Sequence, residues 1–142
     1  MIRFAIIGCG HIAKKHAEQI KEIENAKLTA VCDKIRENMD FYVKQYGAEV
    51  YEDFTELLEK AEVDVVNICT PSGLHASLTV QAATAKKHVI VEKPMSMSIE
   101  DADQMIEVCK KNGVKLSVVH PNRFRPAMLE LRKALDNHLF GK

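Results

Sequence analysis

Short runs of β-branched residues alternate with helical stretches along the whole chain, and these runs are too apolar to face water on either side. Residues 2–7, 28–32, 49–51, 63–69 (VDVVNIC), 88–91 and 115–119 read as six strands. Between them, residues 11–24, 37–46, 54–60 and 76–86 and a stretch opening at Ser98 read as helices. A last helix follows Pro121 and Pro126 and carries Met128, Leu131 and Leu135. Strands of this kind belong in a parallel sheet buried between helices. Right-handed crossovers then favour an α/β fold: a doubly wound, mostly parallel six-stranded sheet with helices on both faces.

Local signals support the boundaries. Ile12, His16, Ile20 and Ile23 recur at spacings of four, four and three, which puts them on one helix face. Gly47 and Gly113 stand where helices should stop, and Asp53 stands where one should be capped. Glu100 and Asp101 suit the positive end of the helix after Ser98, whose expected buried face is Ala102, Met105, Ile106 and Cys109.

Composition excludes several classes. The 142 residues suffice for one domain with a sizeable core. Twenty basic residues balance twenty acidic ones, so no electrostatic footprint marks a nucleic-acid partner. No apolar run approaches the roughly 18 residues needed to span a bilayer, and the first ten residues lack the layout of a signal peptide. Four scattered cysteines without a CxxC pair suggest a reduced, cytoplasmic protein. His11 and His16 are five apart and do not share a helix face, so no metal site is expected.

The turn after the first strand, Gly8-Cys9-Gly10-His11-Ile12-Ala13, fits G-x-G-x-x-A. In a dinucleotide-binding fold the first glycine makes the tight turn and the second lets a pyrophosphate approach the backbone. The small third residue packs helix on strand. The helix opened by His11 and Ile12 offers free N–H groups and a positive dipole end to phosphate. Asp33 follows the second strand, 20 residues after Ala13, where an acid bonds the ribose hydroxyls. A carboxylate there favours NAD over NADP, while Lys34 and Arg36 leave room for a 2′-phosphate. Methyltransferases using S-adenosylmethionine share a glycine loop and an acid in these places, so this reading stays open beside the first. A P-loop is excluded because no GK[ST] follows the glycines.

Ligands of doubly wound sheets bind outside the carboxyl ends of the strands. Strand four ends in Thr70-Pro71-Ser72-Gly73-Leu74-His75, strand five in Glu92-Lys93-Pro94, and strand six in His120-Pro121-Asn122-Arg123-Phe124. With GCGHIA, these segments resemble the N-terminal domain of the Gfo/Idh/MocA oxidoreductases (glucose–fructose oxidoreductase, inositol 2-dehydrogenase and relatives). The resemblance covers nearly the whole chain, and the EKP tripeptide is its most specific part; it argues against the methyltransferase reading. TPSGLHA, VEKPMSMS and NRFRPAM look most like dehydrogenases of UDP-N-acetylated sugar acids.

The resemblance implies an NAD(P)-dependent enzyme that moves a hydride between cofactor and a sugar, nucleotide-sugar or polyol hydroxyl. It implies that Lys93 is the catalytic group, steadying the developing alkoxide. The bond before Pro94 is often cis in the family. Gly8, Gly10, His11, Ile12, Asp33, Lys34, Thr70, Pro71, His75, Glu92, Lys93, Asn122 and Arg123 are the implied cofactor contacts. Residues 1–120 form the implied dinucleotide-binding domain, and residues 121–142 lead towards a second α/β substrate domain that this chain lacks. The chain is therefore expected to be an inactive N-terminal fragment, monomeric by itself, of a homo-oligomeric enzyme. The alternative from a different class is a non-catalytic NAD(P)-sensing module.

Overall fold

The computed structural model describes residues 1–141. Its sheet contains β1 (Ile2–Ile7), β2 (Ala26–Cys32), β3 (Glu49–Tyr51), β4 (Val65–Ile68), β5 (His88–Val91) and β6 (Leu116–Val118). The order is β3-β2-β1-β4-β5-β6, and every neighbouring pair is parallel. The order reverses between β1 and β4, which opens a crevice at their carboxyl ends.

Six helices complete the fold: α1 (His11–Lys21), α2 (Asp40–Tyr46), α3 (Phe54–Lys60), α4 (His75–Thr84), α5 (Ile99–Asn112) and α6 (Pro126–Asp136). Two apolar layers hold helices to sheet. On one face Ala13, Ala17 and Ile20 of α1 and Tyr42 of α2 pack on Phe4, Ile6, Leu28 and Val31. On the other, Phe54 and Leu57 of α3, Ala82 of α4 and Met105 of α5 pack on Ala5, Ile7, Val66, Ile68, Val89 and Val91. Strand residues alternate between the two layers, as a sheet covered on both sides requires.

Caps stand where the residue types direct them. Asp53 accepts the N–H of Glu56, and Ser98 accepts that of Asp101. Gly47 and Gly113 adopt left-handed conformations at the ends of α2 and α5. Backbone pairing continues past the strands to the site residues. Gly8 donates to the carbonyl of Cys32, Cys69 to that of Ile7, Glu92 to that of Ile68, and Val119 to that of Val91.

Several expectations need correction. The first helix ends at Lys21, so Ile23 leaves the apolar face and is 52% exposed in the turn into β2. That turn lets β2 begin at Ala26, paired with Ile2, two residues earlier than hydropathy suggested. Ile106 is also 52% exposed. Of the helices α5 touches α4 most extensively, and its fully buried line narrows to Met105 and Cys109. The second helical segment opens with a 3-10 turn at Arg36–Met39 before α2.

α6 differs from every other helix. None of its residues is buried, and Met128, Leu129, Leu131 and Leu135 are 43–53% exposed.

Candidate functional site

The two glycines of the first turn serve different physical purposes. Gly8 has φ +85°, and a Cβ there would lie 2.9 Å from the carbonyl carbon and oxygen of Cys69 and the amide nitrogen of Thr70. Backbone cannot yield to such a contact, so the fold itself demands glycine. At Gly10 a Cβ would meet no protein atom within 4 Å, and φ is −75°. Nothing in the protein requires glycine here. The open space lies at the start of α1, which has no side-chain cap and no acid in its first turn. Free N–H groups and an uncompensated positive dipole end therefore face a cradle from which a side chain is missing, the features that accept pyrophosphate. His11 is exposed at the first helical position, and Ile12 packs partly against the α1 layer.

Asp33 braces this turn. Its Oδ2 accepts the N–H of Cys9 at 2.7 Å, and its Oδ1 accepts the N–H of Ile35 at 2.9 Å and Asn38 Nδ2 at 3.3 Å. Asp33 and Lys34 line a cavity of about 420 Å³, together with Gly8, Thr70 and Pro71. The cavity also includes Leu74 of the same motif segment and Asp53, expected only as a helix cap, together with Glu52, Leu78 and Gln81, to which no motif pointed. These last three come from the end of β3 and from one face of α4. Their only sequence signal was proximity to a strand's carboxyl end.

A second cavity, of about 340 Å³, lies past β5 and β6. Lys93 lines it with Val119, His120, Pro121, Asn122 and Arg123. The Lys93–Pro94 bond is cis. Lys93, Asn122 and Arg123 are thus brought together, and the Asp33 cavity lies along the same carboxyl edge.

Glu92 and His75 point inward instead. Glu92 is buried, with Oε1 3.0 Å from His16 Nε2 and Oε2 accepting the Lys93 N–H at 3.0 Å. His75 is 1% exposed. Its Nδ1 lies 2.8 Å from the Pro94 carbonyl oxygen and its Nε2 2.9 Å from that of Thr70. Neither residue lines either cavity.

Cys9, Cys32 and Cys69 surround the glycine turn as buried free thiols. Burial pushes the Cys9 thiol far up and those of Cys32 and Cys69 up to about 12. They remain protonated at neutral pH and act as small apolar fillers rather than nucleophiles. Among the described residues no group of three His, Cys, Asp or Glu side chains is placed to hold a metal ion. No described helix is long and apolar enough to cross a membrane.

Comparison with known proteins agrees with this fold. Residues 2–120 match the family described as "Oxidoreductase family, NAD-binding Rossmann fold". A myo-inositol 2-dehydrogenase of Thermotoga maritima is 37% identical over 142 residues, covering 99% of this chain and 42% of that protein. The WlbA dehydrogenase of Bordetella pertussis, solved with NADH and UDP-GlcNAcA, superimposes with a TM-score of 0.95 at 34% identity, over 99% of this chain and 41% of that one. A scyllo-inositol dehydrogenase of Lactobacillus casei, solved with NAD(H) and scyllo-inositol, gives a TM-score of 0.93 at 31% identity, over 100% and 43%. The chain therefore spans about two fifths of the length of these relatives. Nothing in these matches supports a methyltransferase. With the glycine cradle, the braced aspartate and the EKP turn all present on a matching fold, the chain belongs to the Gfo/Idh/MocA oxidoreductase family and carries its NAD-binding Rossmann fold.

Proposed function

We propose that this chain is the cofactor-binding part of a dehydrogenase that moves a hydride between NAD and a secondary hydroxyl of a sugar, nucleotide sugar or polyol. Residues 1–120 hold the cofactor, and residues 121–142 connect to a substrate-binding part. The exposed apolar side chains of α6 suit a segment that packs on further protein.

One observation carries this reading. Lys93, exposed at the tip of β5, shares a cavity with Asn122 and Arg123 along the carboxyl edge that also holds the glycine cradle. Bound NAD supplies the hydride acceptor. Gly10 and the N–H groups of α1 hold the pyrophosphate, and Asp33 the adenosine ribose, with a carboxylate that disfavours a 2′-phosphate. With NAD bound, Lys93 would steady the oxygen of the reacting hydroxyl while its proton passes to a base of the substrate-binding part and its hydride to the nicotinamide. His11, Ile12, Lys34, Thr70 and Pro71 flank the cofactor, and Asn122 and Arg123 reach the substrate end. Four free, buried thiols suit a reducing, cytoplasmic setting.

The test is calorimetric titration of the chain with NADH and NADPH in parallel, since the absence of Trp removes the usual quenching signal. NADH binding that is tighter than NADPH binding, with the preference lost in Asp33→Ala, is expected. Binding of neither nucleotide overturns the reading. Lys93→Ala separates the dehydrogenase from a pure NAD sensor: it weakens NADH only at the nicotinamide end, by about tenfold, leaves ADP-ribose binding in place, and abolishes hydride transfer in a protein that also carries the substrate-binding part.

A further inference from the structure

The EKP turn is gripped from both faces of the sheet, by residues that lie outside it in sequence. Glu92 carries a carboxylate whose side chain is only 10% exposed. Such a group is costly unless its oxygens are partnered. One oxygen takes the Lys93 N–H, and the other takes His16 Nε2 from the middle of α1. Behind the ring, Asn67 of β4 directs its Nδ2 at His16 Nδ1 from 3.1 Å. An amide donor facing Nδ1 leaves the ring hydrogen on Nε2, where it points at Glu92. Asn67 is 2% exposed and its Oδ1 has no partner, so a β4 position otherwise surrounded by apolar residues is given over to orienting this ring.

From the opposite face, His75 at the start of α4 sets Nδ1 2.8 Å from the carbonyl oxygen of Pro94 and Nε2 2.9 Å from that of Thr70; both oxygens only accept, so the neutral ring, with one N–H, donates to one of them at a time. The residue before Lys93 is thus held through α1, and the residue after it through α4. Lys93 itself is exposed and faces the second cavity.

We propose that His16 and His75 are positioning residues for Lys93, clamping the turn from either side so that only the lysine side chain remains free to face bound nicotinamide and substrate. The proposal rests on the dehydrogenase reading for the purpose of the clamp, but the clamp can be tested without any ligand. His16→Leu fills the space and removes the donor to Glu92. His16→Gln keeps a donor of similar reach.

Two measurements on the 142-residue chain decide the matter. The first is the Lys93 backbone amide by NMR, as chemical shift and hydrogen-exchange rate. In His16→Leu the Lys93 amide should exchange on the order of tenfold faster, while amides of the β1–β4 ladder keep their protection, and His16→Gln should restore it. The second compares NADH with ADP-ribose, which has the same adenosine and pyrophosphate but no nicotinamide. His16→Leu should weaken NADH about tenfold and change ADP-ribose by less than about twofold.

An unmoved Lys93 amide, or equal weakening of both ligands, overturns the proposal and leaves His16 as a core residue. If His16→Leu does not fold, Glu92→Gln, which keeps shape and loses charge, is read at the same amide with the same outcomes. If the native chain binds neither NADH nor ADP-ribose, the dehydrogenase reading fails. The ligand-free amide measurement still decides whether the clamp exists.

Discussion

On the β1–β2 side of the carboxyl edge, the site is made of main chain. Gly8 lies against the backbone of Cys69 and Thr70, the Cys9 N–H is held by Asp33, and α1 presents bare N–H groups. On the β5–β6 side it is made of side chains: Lys93, Asn122 and Arg123 around a cavity, with Glu92, His16 and His75 behind. The difference follows from what each side must recognise. A pyrophosphate is the same in every dinucleotide and is met by backbone donors that no substitution short of proline removes. A reacting hydroxyl needs a group with its own charge, and such a group has to be aimed.

The sharpest way to break the comparison is to add the same methyl group at two glycines two residues apart. Gly8→Ala places a Cβ against unyielding backbone at φ +85°, and should destabilise the domain by about 2–4 kcal/mol while removing NADH binding. Urea unfolding and calorimetry read both effects. Gly10→Ala meets no protein atom, so stability should stay within about 0.5 kcal/mol. NADH affinity should nevertheless fall by on the order of tenfold or more, about 1.4 kcal/mol or greater. Equal loss of stability in the two variants would mean that the second glycine serves the fold rather than the ligand.

Asp33→Ala comes next. It leaves the Cys9 N–H without its acceptor and should cost about 1–3 kcal/mol. It should also bring NADH and NADPH affinities together. On the other side Lys93→Ala removes an exposed side chain and should move the unfolding midpoint hardly at all, within about 0.5 kcal/mol. One side of the site thus combines stability with binding, and the other keeps function apart from stability.

What the sequence revealed divides along the same line. The glycine turn and Asp33 have a local rationale, and EKP stood out through the family resemblance, so all three can be read without a structure. The β-α alternation is likewise a local periodicity. The clamp is not local: His16 and Glu92 are 76 residues apart, and His75 and Pro94 are 19 apart. His16 looked like one more position on the apolar face of α1. The available signal was that a histidine between Ile12 and Ile20 on a buried face must find a polar partner somewhere. The cavity residues Glu52, Leu78 and Gln81 gave still less warning, because β3 and α4 meet only through the sheet order. Ile23 and Ile106 misled for a related reason: periodicity says which residues share a face, not where the helix stops or how much of that face is covered.

β4 is the seam between the two sides, since Cys69 and Thr70 wall the glycine turn while Asn67 serves the clamp. Its amino end is pinned to β1 far from the site. Asp64 accepts the backbone N–H of Arg3 at 2.8 Å and, through both oxygens, the guanidinium Nε and Nη2. The hydrogen bond from the Arg3 side chain, helped by the backbone N–H, lowers the Asp64 carboxyl from 3.8 to about 2. Because the folded value lies below the unfolded one, the pair's stabilisation is full above about pH 4. It is lost as the pH falls through the window from about 4 to about 2. The side chains are 38% and 37% exposed, so solvent screening keeps the effect the smallest of the series. Asp64→Asn should therefore lower the urea midpoint modestly at pH 6, and the gap to the native chain should narrow by pH 3. NADH affinity at pH 6 should be the same in both proteins. A change in affinity there would mean that the amino end of β4 is coupled to the site, and that the two sides of the carboxyl edge are not built independently of what lies beneath them.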